Sequence, residues 1–375
     1  ILVVNAPTGN VVSATEHTFA LLLSLLRKTP GADASMKRGE WDRKSFLGSE
    51  LHGKTLGVVG FGKIGQKVAA RALAFEMKVV AYDPFLDPGV ARKLGVEPLA
   101  VDALFERADV VTFHTPLTAE TRNLLSAERL ARTKRGVVVV NCGRGGVLDE
   151  AALLAALDSG QVAGAALDVF EEEPTPRLEL VRHPKVVASP HVGAQTAEAQ
   201  ERIAIETAKM VLGALQGSLA VAAVNLPFTS AGRREEPYLK LGDLLGRLAS
   251  GLVDGGYRRV EITTQGMDAD LAAPASVAVV RGLLARADDE EVNLVNAEHL
   301  AAARGLEVAK RAESEPGDYP ELVTVRLVGE RESVEVAGTL FGGEDPRVVG
   351  LGGYRLEFQP EGNLLFLENR DVPGV

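Results

Sequence analysis

Between about residue 51 and residue 194 the chain alternates short β-branched runs with amphipathic segments, a rhythm that leaves few folds open: parallel strands joined by crossover helices. The runs are TLGVVG, KVVAYD, DVVTFHT, VVVVN, GAALDV and KVVASP, and intervening segments such as QKVAARALAFE and EAALLAALDSG carry apolar residues three to four apart. The expected architecture is α/β, a doubly wound parallel sheet.

The segment GVVGFGKIGQ joins the first strand to its helix and sets Gly60, Gly62 and Gly65 in a GxGxxG arrangement. Alone this spacing is weak, because glycine is common here. At a strand-to-helix turn it gains a mechanism: a tight turn, a close backbone approach to a pyrophosphate, and close helix packing, with the helix N-terminus attracting the anion. Asp83 closes the second strand in VVAYDP, where a carboxylate accepts hydrogen bonds from ribose hydroxyls and repels a 2′-phosphate. The expected cofactor is NAD rather than NADP.

Ligands of such sheets lie beyond the carboxyl ends of the strands, so the chemistry is sought in the segments that follow them. VVVVNCGRGG brings Arg144, AALDVFEEEP brings Asp168 and three glutamates, and VVASPHVGAQT brings His191. A guanidinium that forks onto a carboxylate, an imidazole that accepts a hydroxyl proton and an acid that orients the imidazole suit oxidation of a hydroxy acid. His17, His52, His183 and His299 read as structural, and His114 as packing.

The segments VVNAPTGNVVSATEHTFALLL, GVVGFGKIGQ, AYDP, HTPLTAET, VVVVNCGRGGVLDE, GAALDVFEEEP and SPHVGAQTAEAQ together resemble the D-isomer-specific 2-hydroxyacid dehydrogenase family, and within it the long, regulated branch acting on 3-phosphoglycerate in serine biosynthesis. The resemblance implies a catalytic trio of Arg144, Glu173 and His191, Glu173 being the acid immediately before proline, while Glu171 and Glu172 are expected to face water. It further implies cofactor contacts from Lys63, Ile64, Thr115, Cys142, Gly143, Arg144, Asp168, His191, Val192, Gly193 and Ala194. No metal is expected. Two other readings stay open: a glyoxylate or hydroxypyruvate reductase, and an NAD-sensing binding protein similar to the corepressors that share this fold.

With 375 residues the chain exceeds one ordinary core. The expected division is 1–204 for the nucleotide-binding domain with a dimerisation helix and arm, 205–230 for a return segment toward the substrate domain plus a linker, and 231–361 for a smaller α+β intervening domain. Residues 362–375 resemble the start of an ACT domain, which in this branch binds L-serine as an effector. Most of the substrate and ACT domains would lie outside this chain, so it is expected to turn over substrate poorly alone. Residues 13–29 open with a capping-box pattern, Ser13 and Glu16, and then become apolar on most faces. The resemblance implies that this helix and the MKRGEWDRKSF arm pack on a second subunit, giving a homodimer or homotetramer, with Trp41 in a partner's pocket and Arg43 or Lys44 near a partner's phosphate.

A formal charge of −10, with 51 acids against 41 bases, argues against nucleic acid as a partner. The longest apolar run, FALLLSLL, is far below the ~18 residues of a membrane span, and the single cysteine, Cys142, cannot form an internal disulfide. A cytoplasmic location is expected.

Overall fold

The computed structural model describes every residue except 1, 7, 216–222, 229–233, 254–255, 286–291, 330–331, 363 and 368–375. It divides into two compact units, Thr8–Ile205 and a second comprising Ile1–Pro7 with Glu206–Val375.

The first unit begins with α1 (Val11–Leu26) and α2 (Thr29–Lys37). There follow β1 (Thr55–Val59), α3 (Lys63–Ala74), β2 (Lys78–Tyr82), α4 (Pro88–Lys93), β3 (Glu97–Pro98), α5 (Val101–Arg107), β4 (Val110–Phe113), α6 (Ala127–Arg132) and β5 (Val137–Asn141). The remaining elements are α7 (Glu150–Ser159), β6 (Val162–Leu167), α8 (Leu178–Val181), β7 (Val186–Ala188) and α9 (Ala197–Leu215), the last running past Ile205. Seven strands form one parallel sheet in the order β3-β2-β1-β4-β5-β6-β7. The order reverses between β1 and β4, and this switch point opens a crevice at the strand ends. All five residues of β5 are buried, which is why VVVVN reads as an unbroken apolar run: helices cover both faces of a parallel sheet.

All six expected strands are present. The sequence reading missed β3, a two-residue edge strand too short to show a period. The capping box is overturned: the N-cap is Asn10, three residues before Ser13, and Ser13 lies buried inside the helix with its hydroxyl turned to the Gly193 carbonyl.

The second unit contains α10 (Glu236–Leu252), β8 (Tyr257–Gln265), α11 (Ala269–Leu284), α12 (Ala297–Ala303), β9 (Glu307–Glu313), β10 (Leu322–Gly329), β11 (Ser333–Phe341), β12 (Asp345–Leu351) and β13 (Tyr354–Phe358). Its six strands run in the order β13-β12-β11-β10-β8-β9, antiparallel except for β8 beside β9. Gly242 and Gly246 of α10 lie so close to α11 that a Cβ on either would overlap the Ala275 or Val279 carbonyl, so their small size sets how near the helices approach. One core joins this helix pair to the alternating inward residues of β10, Val323, Val325 and Leu327. Residues 216–222 and 229–230 of the expected return segment and linker, and residues 363 and 368–375 of the tail that resembles the start of an ACT domain, lie outside the described residues; the described stretch 364–367 forms no strand.

Candidate active site

The glycine turn divides its work among three positions. Gly60 has φ +90°, and a Cβ on it would lie 2.7 Å from the His114 carbonyl. At Gly65 a Cβ would overlap the Gly60 carbonyl, so this residue lets α3 pack on β1. Gly62, the N-cap of α3, faces open space and makes no side-chain cap bond, leaving the first-turn amides of Lys63, Ile64 and Gly65 available to an anion. Asp83 accepts hydrogen bonds from the Phe61 amide at 2.8 Å and the Phe85 amide at 2.9 Å, which ties the end of β2 to the glycine turn.

Beyond β4, β5, β6 and β7 lies a cleft of about 220 Å³. Ile64, Thr115, Cys142, Gly143, Arg144, Asp168, His191, Gly193 and Ala194 all line it, so most of the residues singled out from sequence converge there. Gly60, Gly62, Lys63, Gly65 and Asp83 stand apart at the glycine turn, and Val192 contributes an amide rather than a lining side chain. The sequence reading missed Asn10 and Ala14 from the start of α1, and took His114 for packing.

Arg144 is set by a loop that Asn141 closes, its side chain donating to the Arg144 carbonyl at 2.9 Å and accepting from the Gly143 amide at 3.1 Å. The exposed guanidinium donates to the Gly143 carbonyl, and among the described residues it has no acidic partner. It is free to take an anionic ligand.

Glu173 and His191 meet directly, Oε2 to Nδ1, at 2.7 Å, and the other Glu173 oxygen accepts the Phe170 amide at 3.1 Å. A carboxylate can only accept, so Nδ1 carries the proton of this bond and Nε2 is left for chemistry. These two residues also line a second, mostly apolar cleft of about 560 Å³ with Phe170, Pro174 and Val181. Glu171 and Glu172 are exposed, as expected, but Glu171 is also engaged: it accepts the Glu150 amide, donates its own amide to the buried Glu150 carboxyl at 2.6 Å, and lies 3.8 Å from Arg177. Burial, with the nearby Glu171 charge, raises the Glu150 carboxyl above its ordinary range despite the Glu171 amide and Arg177.

Asp168 is 1% exposed and follows the last residue of β6. Burial acts to raise its pKa, but hydrogen bonds from His17, Ser189 and the Val192 amide outweigh it and hold the carboxyl below its ordinary range. The half-buried His114 is held neutral, its pKa lowered to about 4 by desolvation of the ring. Its Nδ1 and the Thr115 hydroxyl are buried without a hydrogen-bond partner among the described residues, although both side chains line the cleft. Unpaired polar atoms are costly unless a ligand satisfies them, and with the open space over Gly62 they fit a dinucleotide lying from the glycine turn to the cleft. Burial also pushes the Cys142 thiol up to about 12, so it is inert rather than reactive. No group of three or more potential metal ligands occurs among the described residues.

Residues 19–193 match the family model described as D-isomer specific 2-hydroxyacid dehydrogenase, NAD binding domain, and residues 234–352 match the D-3-phosphoglycerate dehydrogenase intervening domain. The whole chain is 42% identical to D-3-phosphoglycerate dehydrogenase of Bacillus subtilis, covering 72% of that protein. It is 39% identical to the enzyme of the same name from Methanocaldococcus jannaschii, again over 100% of this chain and 72% of the relative. Among solved structures, D-lactate dehydrogenase of Aquifex aeolicus complexed with NAD and lactic acid aligns with a TM-score of 0.55 and 35% identity, over 58% of this chain and 71% of that one. Two family-model matches, and identity sustained along the full length, place this chain in the D-3-phosphoglycerate dehydrogenase branch of the D-isomer-specific 2-hydroxyacid dehydrogenase family.

Proposed function

We propose that this chain oxidises D-3-phosphoglycerate to 3-phosphohydroxypyruvate with NAD, the first step of phosphorylated serine biosynthesis. The observation that carries the reading is the Glu173–His191 pair beside a cleft lined by an arginine with no acidic partner among the described residues, in a chain whose second unit matches the intervening domain of this branch. That second match favours phosphoglycerate over the reductase and binding-protein readings.

Arg144 grips the substrate carboxylate, for which a forked guanidinium is suited. His191 accepts the C2 hydroxyl proton at Nε2, and Glu173 holds the ring by Nδ1 and balances the positive charge that the ring gains. In the reverse direction the protonated ring returns that proton. The turn from Gly60 to Gly65 would hold the pyrophosphate and Asp83 the ribose, while Thr115, Cys142, Gly143, Arg144, Asp168 and His191–Ala194 would surround the nicotinamide end. Bound NAD supplies the hydride acceptor.

The same reading makes the protein a homo-oligomer, for which Trp41 and Leu47, 79% and 81% exposed in the arm after α2, offer an apolar surface. L-serine is the expected effector of the protein that carries a complete ACT domain. No helix among the described residues is long and apolar enough to cross a membrane, and the reading places the enzyme in the cytoplasm. The test is NAD reduction followed at 340 nm, a wavelength set by the cofactor, with 3-phosphoglycerate against lactate and glycerate. A strong preference for the phosphorylated acid is expected; preference for an unphosphorylated acid overturns the substrate assignment.

A further inference from the structure

His191 stands at φ +55°, a left-handed conformation that a residue with a side chain keeps only where its surroundings over-determine it. Its own amide donates to the Asp168 carbonyl at 2.8 Å. The next two amides, of Val192 and Gly193, donate to the two Asp168 carboxylate oxygens at 2.9 and 2.8 Å. Asp168 is therefore the hub of this turn, and what fixes Asp168 fixes the imidazole.

Two side chains of α1, one helical turn apart, reach this hub from across the fold. His17 Nε2 lies 3.1 Å from Asp168 Oδ1 and 3.0 Å from the Ser189 hydroxyl, which itself donates to Oδ1 at 2.6 Å. Because the carboxylate and a hydroxyl already committed as donor can only accept, His17 carries its proton on Nε2. The Ser13 hydroxyl donates to the Gly193 carbonyl, the far end of the same turn. Neither Ser13 nor His17 lines the cleft, so neither touches what binds there.

We propose that Ser13 and His17 are positioning residues: from one face of α1 they clamp the 189–193 turn at both ends, through Gly193 and Asp168, and so aim the His191 ring at Glu173 and the cleft. This rests on reading His191 as the catalytic base. A helix whose apolar character alone accounts for its burial also carries two polar side chains that catalysis depends on.

The test compares His17→Gln, whose amide keeps a donor, with His17→Leu, which has none, and with Ser13→Ala. In the unmodified protein the proton between His191 Nδ1 and Glu173 should give a low-field NMR signal, assigned by its loss in His191→Gln. The signal should persist in His17→Gln and be lost or broadened in His17→Leu, while NADH affinity by fluorescence stays within about threefold. The kcat of His17→Leu should fall roughly 10- to 100-fold with KM little changed, the size of effect expected from a misplaced catalytic group. A folded His17→Leu that keeps both signal and kcat overturns the clamp. If His17→Leu does not fold, Ser13→Ala decides: a weakened signal and reduced kcat support the proposal, and no change in either overturns it. Absence of turnover in the unmodified protein would count against the functional reading alone, since the NMR signal judges the clamp without it.

Discussion

Glu173 spans from the Phe170 amide to the His191 ring, with one carboxylate oxygen on each, at 3.1 and 2.7 Å. The acid is thus oriented by its own loop before it orients the imidazole. Both side chains remain partly open to solvent.

Replacing His191 by Gln should abolish turnover, by roughly 10³-fold or more, because it removes the ring that Glu173 orients to exchange the hydroxyl proton. Glu173→Gln keeps a hydrogen-bond acceptor but loses the charge that balances the protonated ring, so kcat should fall roughly 10- to 100-fold. Steady-state rates with NADH binding as control check both; loss of NADH binding in either variant would show that the pair serves the cofactor instead.

Gly145 is where the Arg144 loop meets the loop bearing Glu173. A Cβ there would overlap the Phe170 carbonyl, and since that atom is backbone, relief requires the loops to separate. Gly145→Ala should cost about 1–3 kcal/mol, seen as a lower melting temperature, and should reduce kcat. An unchanged melting temperature would mean that the loops part without cost.

His114 makes the fold sensitive to mild acid. Its pKa is about 4 in the folded chain against about 6.5 unfolded, so below pH 6.5 the unfolded chain takes up a proton that the folded chain refuses. Its contribution is fully present above pH 6.5 and declines as pH falls toward 4, by on the order of 3 kcal/mol. Denaturant titrations across that range should show the decline, and His114→Asn should flatten it.

Cys142 should resist alkylation. With burial pushing its pKa up to about 12, almost no thiolate exists at pH 8, and iodoacetamide should label the protein only after unfolding. Labelling of the native protein, followed by mass spectrometry, would contradict this.

The parallel sheet was legible because its strands are buried on both faces and its glycines sit where a turn must be tight. Arg144, Asp168 and His191 could be found because each follows a strand end, a position the fold itself assigns to ligands. Choosing Glu173 among three successive glutamates needed the family resemblance, since spacing alone does not separate it from Glu171, whose partners Glu150 and Arg177 are set by tertiary contact. His17 was invisible as a functional candidate: its place in an apolar helical pattern signals burial, and nothing local reports an aspartate 151 positions away. Ser13 misled for a related reason, because a hydroxyl near a helix start suits a cap as well as a distant carbonyl.

The bond from Ser13 to Gly193 joins positions 180 apart, whereas the strands that bear Arg144, Asp168 and His191 are sequential neighbours. Loop closure over such a span is entropically slower than zipping adjacent crossovers. During refolding, ellipticity from the sheet should therefore recover ahead of dehydrogenase activity, with competence arriving only when the amino-terminal helix comes home.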